Sequence, residues 1–255
     1  MTENKYSKIL VLGAGPVVIG SSSEYDYSAV SVCRALKEEG ISVVSVNSNP
    51  DTIMTDKNVA DTVYIEPLNG ETVKKIIEKE IPDAIIGTTG GEAGLEICLE
   101  LLQNGYLDEH GTKLLGIKPE TIKAIRNEQA LRDTLENVGE PYVSAKVLPT
   151  DAECVTFAGE IGFPVLISPA FTPDFSEPIR CENADDILSV FGSCAERSLV
   201  NEVYVRKCVD DYKEVEFVAM RDSFGNCISV SSTENIDSVG IHSGDSIVVI
   251  PAQTL

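Results

Sequence analysis

The stretch Lys8 to Asp26, KILVLGAGPVVIGSSSEYD, constrains the fold more than any other part of this chain. Lys8 to Leu12 is a short apolar run of strand length, and Gly13-Ala-Gly-Pro16 breaks it sharply, as at the carboxyl end of a buried parallel strand. A helix beginning near Ser21-Ser-Ser-Glu24 would offer free backbone N–H groups to an anion, and glycines would let the backbone approach it. This opening belongs to a nucleotide-type α/β domain. It is not a dinucleotide fingerprint. After Gly13 and Gly15 the third glycine of G-x-G-x-x-G should stand at residue 18, which is Val18. The next strand, Ile41 to Val46, runs into Asn47-Ser-Asn49 rather than into a carboxylate for a ribose hydroxyl. An independent dinucleotide enzyme is therefore disfavoured.

The first half alternates strand and helix. Ser28 to Glu39 carries Ala29, Val32, Cys33 and Leu36 at helical spacing and stops at Gly40. Strands follow at Ile41 to Val46, Asp61 to Ile65 and Asp83 to Gly87, with helices over Glu71 to Glu80 and around Leu95 to Leu102. That alternation predicts parallel βαβ units and a Rossmann-like, doubly wound domain over residues 1–125. Its glycine-bearing turns, Gly13 with Gly15 and Gly90 with Gly91, both follow strands and should share the ligand-binding edge of the sheet. They read either as plain strand-to-helix turns or as a small-anion site. Tyr25 and Tyr27 are expected to pack on the sheet.

The second half has a different grammar. Thr150 with Glu153 predicts a capped helix that stops at Gly162, Pro164 to Ile167 a strand, and Asn183 with Asp186 another helix start. From Glu202 onward only strand-like runs appear, at Glu202 to Arg206, Val215 to Arg221, Cys227 to Ser231 and Ser246 to Pro251, with Gly225-Asn226 turning a hairpin. This is an α+β region, divided here into residues 126–205 and the start of an antiparallel sheet over 206–255.

Composition removes several classes of function. A net charge of −21 and a pI near 4.4 argue against a nucleic-acid partner or an acidic membrane surface. There is no apolar run of about 18 residues and no signal-peptide pattern in Met1-Thr-Glu-Asn-Lys5, so a soluble cytoplasmic protein is expected. Seven cysteines without a C-x-x-C pair suit reduced thiols that fill cores, and two histidines are too few for a His-rich metal site.

A family resemblance then emerges from particular residues. Gly13-Ala-Gly-Pro16, Val17 to Gly20, Glu24-Tyr-Asp-Tyr27, Val46 to Pro50, Thr52 to Asp56 and Tyr64 to Pro67 resemble the start of the large chain of carbamoyl-phosphate synthases. Gly162-Phe-Pro164, Lys213-Glu214, Gly240 to Ser246 and Pro251 to Leu255 continue the resemblance in one register. It implies a pre-ATP-grasp domain followed by an incomplete α+β ATP-grasp domain. It also implies Mg-ATP-dependent phosphorylation of bicarbonate toward carbamoyl phosphate, a precursor of arginine and pyrimidines. By that resemblance Glu214 would face the ribose, and Gly240, Ile241 and His242 would line the nucleotide site.

The departures from the family fall on phosphate chemistry. Glu128 and Ser168 stand where the family carries arginines, and Lys207 replaces an adenine-side glutamate. The glycine-rich phosphate loop is replaced by Pro173-Asp174-Phe175-Ser-Glu-Pro-Ile-Arg180, whose acids repel phosphate and whose prolines lack donors. At about 1.5 to 3 kcal/mol per charged hydrogen bond, two lost arginines weaken triphosphate binding by roughly a hundred- to ten-thousand-fold. The family's magnesium ligands correspond to positions beyond Leu255. Binding of ATP and Mg by this chain is therefore expected to be weak or absent, and the chain alone catalytically incompetent. Its expected partners are a complementary synthase polypeptide or a second copy joined through the carboxyl-terminal sheet; a non-catalytic homologue that binds a partner or metabolite is the alternative.

Overall fold

The structure is a computed structural model that describes residues 5–16, 23–126, 128–170, 178–198, 200–210, 212–222, 224–239 and 246–254. These fall into two compact units, one made chiefly by residues 5–126 and the other by residues 128–239 and 247–254.

The first unit is a five-stranded parallel sheet. Its strands are β1 (Lys8–Leu12), β2 (Ser42–Asn47), β3 (Thr62–Ile65), β4 (Ala84–Ile86) and β5 (Lys113–Leu115), in the order β3-β2-β1-β4-β5. Alternate residues of the strands bury on opposite faces. Ile9, Val11 and Val43 pack against Ala29, Val30 and Cys33 of α1 (Ser23–Glu38). Leu10, Leu12, Val44, Val46 and Ile85 pack against α2 (Gly70–Glu80) and α3 (Gly91–Gln103). Both faces of the sheet are thus covered, which is why the strands read as continuous apolar runs. Short helices α4 (Tyr106–Glu109) and α5 (Pro119–Arg126) complete the unit.

Helix α1 begins at Ser23, within the Ser21 to Glu24 stretch expected to open a helix and five residues before its apolar register becomes visible at Ser28. Its first turn holds Glu24 and Asp26, acids that favour a helix amino end but carry no apolar signal. Asp26 also accepts bonds from the Ile53 and Met54 N–H groups at 2.9 and 3.0 Å, pinning the loop after β2. Tyr27 corrects another expectation: it is 68% exposed and does not pack on the sheet.

The second unit contains two antiparallel sheets. The first is ordered β6-β9-β7-β8, from β6 (Ala145–Leu148), β7 (Val165–Pro169), β8 (Ile179–Cys181) and β9 (Val203–Lys207). Helices α7 (Asp151–Ile161) and α8 (Ala184–Glu196) pack on the face carrying Val165, Ile167, Val203 and Val205. Their amino ends are capped as the sequence predicts: the Thr150 hydroxyl accepts from Glu153 N–H and Asn183 from Asp186 N–H. Helix α6 (Glu128–Val138) precedes them.

The second sheet is β10 (Val215–Arg221), β11 (Cys227–Asn235) and β12 (Val248–Val249). Here the expected strand Ser246 to Pro251 shrinks to two residues. The Glu234 carboxylate accepts from the Gln253 and Thr254 N–H groups at 2.8 and 3.0 Å, which ties the segment after β12 to β11. Of the seven cysteines, five are buried, Cys208 is half-buried and Cys227 exposed, and all are free thiols.

Candidate functional site

The strand order of the first unit reverses between β1 and β4, the place where open α/β sheets bind ligands. The two glycine turns meet there. Thr89 donates its hydroxyl to the Leu12 carbonyl at 2.9 Å, and a Cβ on Gly90 would lie 2.8 Å from the Gly13 carbonyl oxygen. A Cβ on Gly13 would lie 2.7 Å from the Asn47 carboxamide, and one on Gly91 would lie 2.9 Å from the Tyr25 ring. At these three positions the absent side chain admits other parts of the same chain. Gly15, with φ +81, has more room, its nearest neighbour being the Ser48 hydroxyl at 3.4 Å from a built Cβ.

Asn47 explains why no carboxylate follows β2. It is buried, and its Oδ1 accepts from the Gly15 N–H at 3.0 Å while its Nδ2 donates to the Thr52 hydroxyl at 3.2 Å. The side chain thereby ties the first glycine turn to the loop after β2.

In the second unit, residues paired directly across the ladders share a face. Ser168 pairs with Tyr204, and Leu166 pairs with both Arg206 and Arg180, so these side chains lie on the face opposite α7 and α8. Ser168 brings a neutral hydroxyl to that face. Lys207 pairs with Val165 and belongs to the helix-covered face, where its ammonium donates to the Gly162 carbonyl at 2.8 Å. Gly162 ends α7, so Lys207 serves as a cation at a helix carboxyl end. Arg180 is held by Glu182 at 2.7 Å and by Asp210. Its guanidinium stays protonated more firmly than usual because of the hydrogen bond to Glu182. Glu214 is half-buried just before β10, and its carbonyl accepts from Asn235 N–H at 3.0 Å.

The structure therefore brings Ser168 onto the open sheet face and sets Lys207 on the other. Gly240, Ile241, His242, Asp174 and Phe175, with the rest of the replaced loop up to Glu177, lie outside the described residues, as does the side chain of Glu128. Sequence reasoning did not single out Arg206, Arg180 or Arg132. Only the alternation of buried Val203 and Val205 hinted that Arg206 faces away from the helices. Among the described residues no group of three His, Cys, Asp or Glu side chains is placed to hold a metal ion. No helix among them is long and apolar enough to cross a membrane.

Comparison with known proteins adds the following. Residues 5–124 match the family model of the carbamoyl phosphate synthase preATP-grasp domain, and residues 127–255 match that of the carbamoyl-phosphate synthase L chain, ATP binding domain. The carbamoyl phosphate synthase large chains of Agathobacter rectalis and Lachnoclostridium phytofermentans are 48% and 47% identical over 252 residues, 99% of this chain and 24% of each relative. The chain thus spans about a quarter of the length of those curated relatives. Among solved structures, the biotin carboxylase domain of Hydrogenobacter thermophilus 2-oxoglutarate carboxylase, crystallised with MgADP, ADP and bicarbonate, is similar with TM-score 0.69 and 20% identity, covering 90% of this chain and 50% of that one. Biotin carboxylase from Campylobacter jejuni, in an ATP complex, gives TM-score 0.68 and 20% identity, covering 90% and 51%. At that identity the likeness concerns the fold: a Rossmann-like pre-ATP-grasp domain followed by ATP-grasp architecture.

Proposed function

The chain belongs to the carbamoyl-phosphate synthase large-chain family, and from that premise we propose that it forms the opening part of the bicarbonate-phosphorylating module of such a synthase and does not complete phosphoryl transfer by itself. The observation that carries the reading is the chemistry at β7 and β9. Ser168 offers no charge to a phosphate, and Lys207 offers only donors, already committed to the end of α7. The fold suits ATP with magnesium, and the bicarbonate and MgADP of the Hydrogenobacter neighbour make these the ligands to test. When bound with ATP, magnesium would neutralise charge on the phosphates, a task these side chains do not perform. A cytoplasmic setting, with its reduced thiols, belongs to the same proposal.

The test is steady-state ADP release by the chain with and without bicarbonate. No bicarbonate-dependent ATPase is expected. ADP release that rises with bicarbonate, from protein free of contaminating synthase, overturns the reading.

A second reading, that the chain functions bound to another polypeptide, is favoured by the sheet of β10 to β12. Val218 is 49% exposed, Met220 on the same face of β10 59%, and Ile228, paired with Met220 across the ladder, 54%, an apolar surface of the kind that partners cover. A complementary synthase polypeptide, or a second copy of this chain, would bury it. Light scattering across a concentration series, with Val248→Lys as control, measures self-association directly. A strictly monomeric chain that also ignores the remaining synthase sequence, added as a separate polypeptide, refutes this reading.

A further inference from the structure

Two parallel strands are ordinarily joined by a helix that crosses the sheet. Strands β2 and β3 are parallel, yet their connection, residues 48–61, carries only one short helical turn, Ile53–Thr55. Connections of this length are usually either functional or disordered. This one is held firmly in place. Asp26 of α1 accepts from the Ile53 and Met54 N–H groups at 2.9 and 3.0 Å, and the Thr55 hydroxyl donates to the Pro50 carbonyl at 2.9 Å. Where a crossover helix would have lain, a fixed loop faces α1 instead.

Between the loop and α1 lies a cavity of about 580 Å³, within the size range of small-molecule sites. Its walls carry charges of both signs. Arg34 of α1 forms one side, Asp51 and Asp56 of the loop another, and Pro50, Ile53 and Val59 add apolar surface, of which Ile53 is 55% exposed. One turn further along α1, opposite charges meet in the ordinary way: Lys37 reaches Asp61 of the same loop at 3.5 Å. Arg34 does not close in this manner. Among the described residues its guanidinium has no ion-pair or hydrogen-bond partner, and neither Asp51 nor Asp56 pairs with a cation. Asp56 accepts from the Asn58 N–H at 2.8 Å, which leaves the Asp51 carboxylate the freer of the two.

We propose that this cavity binds an aliphatic α-amino acid of leucine's kind, with its carboxylate on Arg34, its ammonium on Asp51 and its side chain against Pro50, Ile53 and Val59. The planar fork of a guanidinium receives a carboxylate two oxygens at a time, and an ammonium offers three donors to carboxylate oxygens. A plain anion would be repelled by Asp51 and Asp56, and a plain cation by Arg34. A molecule with both charges at one end and hydrocarbon at the other satisfies all three walls. The site is built wholly from the first unit, so the inference goes beyond the nucleotide reading above and does not depend on it.

The experiment is calorimetric titration of the full chain with L-leucine, with 4-methylpentanoate, which lacks the ammonium, and with 3-methylbutylamine, which lacks the carboxylate. It is run on the wild type, Arg34→Gln, Asp51→Asn and Arg221→Gln, the last controlling for the loss of one exposed positive charge elsewhere, on β10. Leucine is expected to bind the wild type and Arg221→Gln alike. Arg34→Gln and Asp51→Asn should each weaken leucine by about 10- to 150-fold, the equivalent of one charged hydrogen-bonding group, and each analogue should bind the wild type more weakly by a similar factor. Both substituted residues are exposed, and a urea midpoint equal to that of the wild type separates a lost contact from a lost fold. A wild type that does not bind leucine at millimolar concentration overturns the inference. So does either analogue binding as tightly as leucine, or leucine binding that both variants leave unchanged, which would place it elsewhere on the chain. Each of these results leaves the nucleotide reading standing.

Discussion

Replacing Asn47 by alanine isolates the contact that joins the first glycine turn to the rest of its unit. The Gly15 N–H, which donates to Asn47 Oδ1 at 3.0 Å in a buried bond, loses its acceptor. An orphaned buried donor costs about 1 to 3 kcal/mol. Thr52 suffers less, because its hydroxyl also donates to the Asn49 carbonyl at 3.2 Å. The removed carboxamide leaves a void beside Gly13, adding about 1 kcal/mol for a space of roughly 40 Å³. The sum, about 2 to 4 kcal/mol, lowers the folding equilibrium of the first unit by roughly 30- to 1,000-fold. Urea unfolding should shift its midpoint by about 1 to 2 M at a slope of about 2 kcal/mol per molar. Hydrogen exchange of β1 and β2 amides assigns the loss to this unit, since two units need not unfold together. Gly13→Ala supplies the cross-check. Its Cβ would meet the Asn47 carboxamide at 2.7 Å, so it should cost about 1 to 3 kcal/mol alone and clearly less in the Asn47→Ala background. A loss below about 0.5 kcal/mol for Asn47→Ala, or strict additivity of the pair, would refute the account of this turn.

Thiol reactivity should follow burial. Desolvation pushes Cys33 and Cys181 up to about 11, and Cys98 and Cys154 up to about 12, whereas Cys227 is exposed. Native-state alkylation read by mass spectrometry should label Cys227 first, and labelling of Cys98 at the same rate would contradict the packing. Acid should weaken the first unit. Hydrogen bonds from the Ser7 hydroxyl and N–H and the Lys8 N–H hold Asp83 below the usual carboxylate range; Tyr64 and Lys8 do the same for Glu80, and Val43 N–H for Asp61. A lowered folded value means that this stability is fully present above the unfolded value of about 4 and is lost as pH falls through the folded one. Urea midpoints should therefore drop between about pH 5 and pH 3, less steeply for Asp83→Asn; a flat profile would count against these bonds.

Much of the fold was legible because it rests on local pattern. Apolar runs of five and six residues bounded by glycine announced β1 and β2, and the caps at Thr150 and Asn183 announced α7 and α8. Val215 to Arg221 was bounded correctly because its strand runs between clear turn residues. The strands β5 and β8 were not read; each has three residues, too few for a periodicity of two to show itself. Val18 and Asn47 told that the opening is not a dinucleotide site, but not what Asn47 does instead, since its partners Gly15 and Thr52 lie on different segments.

What the sequence by itself determined was the kind of each half: a parallel α/β domain, then an α+β region with an antiparallel sheet, because hydrophobic period and turn chemistry act within a few residues of each other. The tertiary structure alone decided neighbours. Which strand lies beside β9 places Arg206 between Ala145 and Leu166, and the reach of Glu234 to Gln253 and Thr254 ties the segment after β12 to β11. Strand register and long-range carboxylate bonds join residues many positions apart, and no local pattern encodes that pairing.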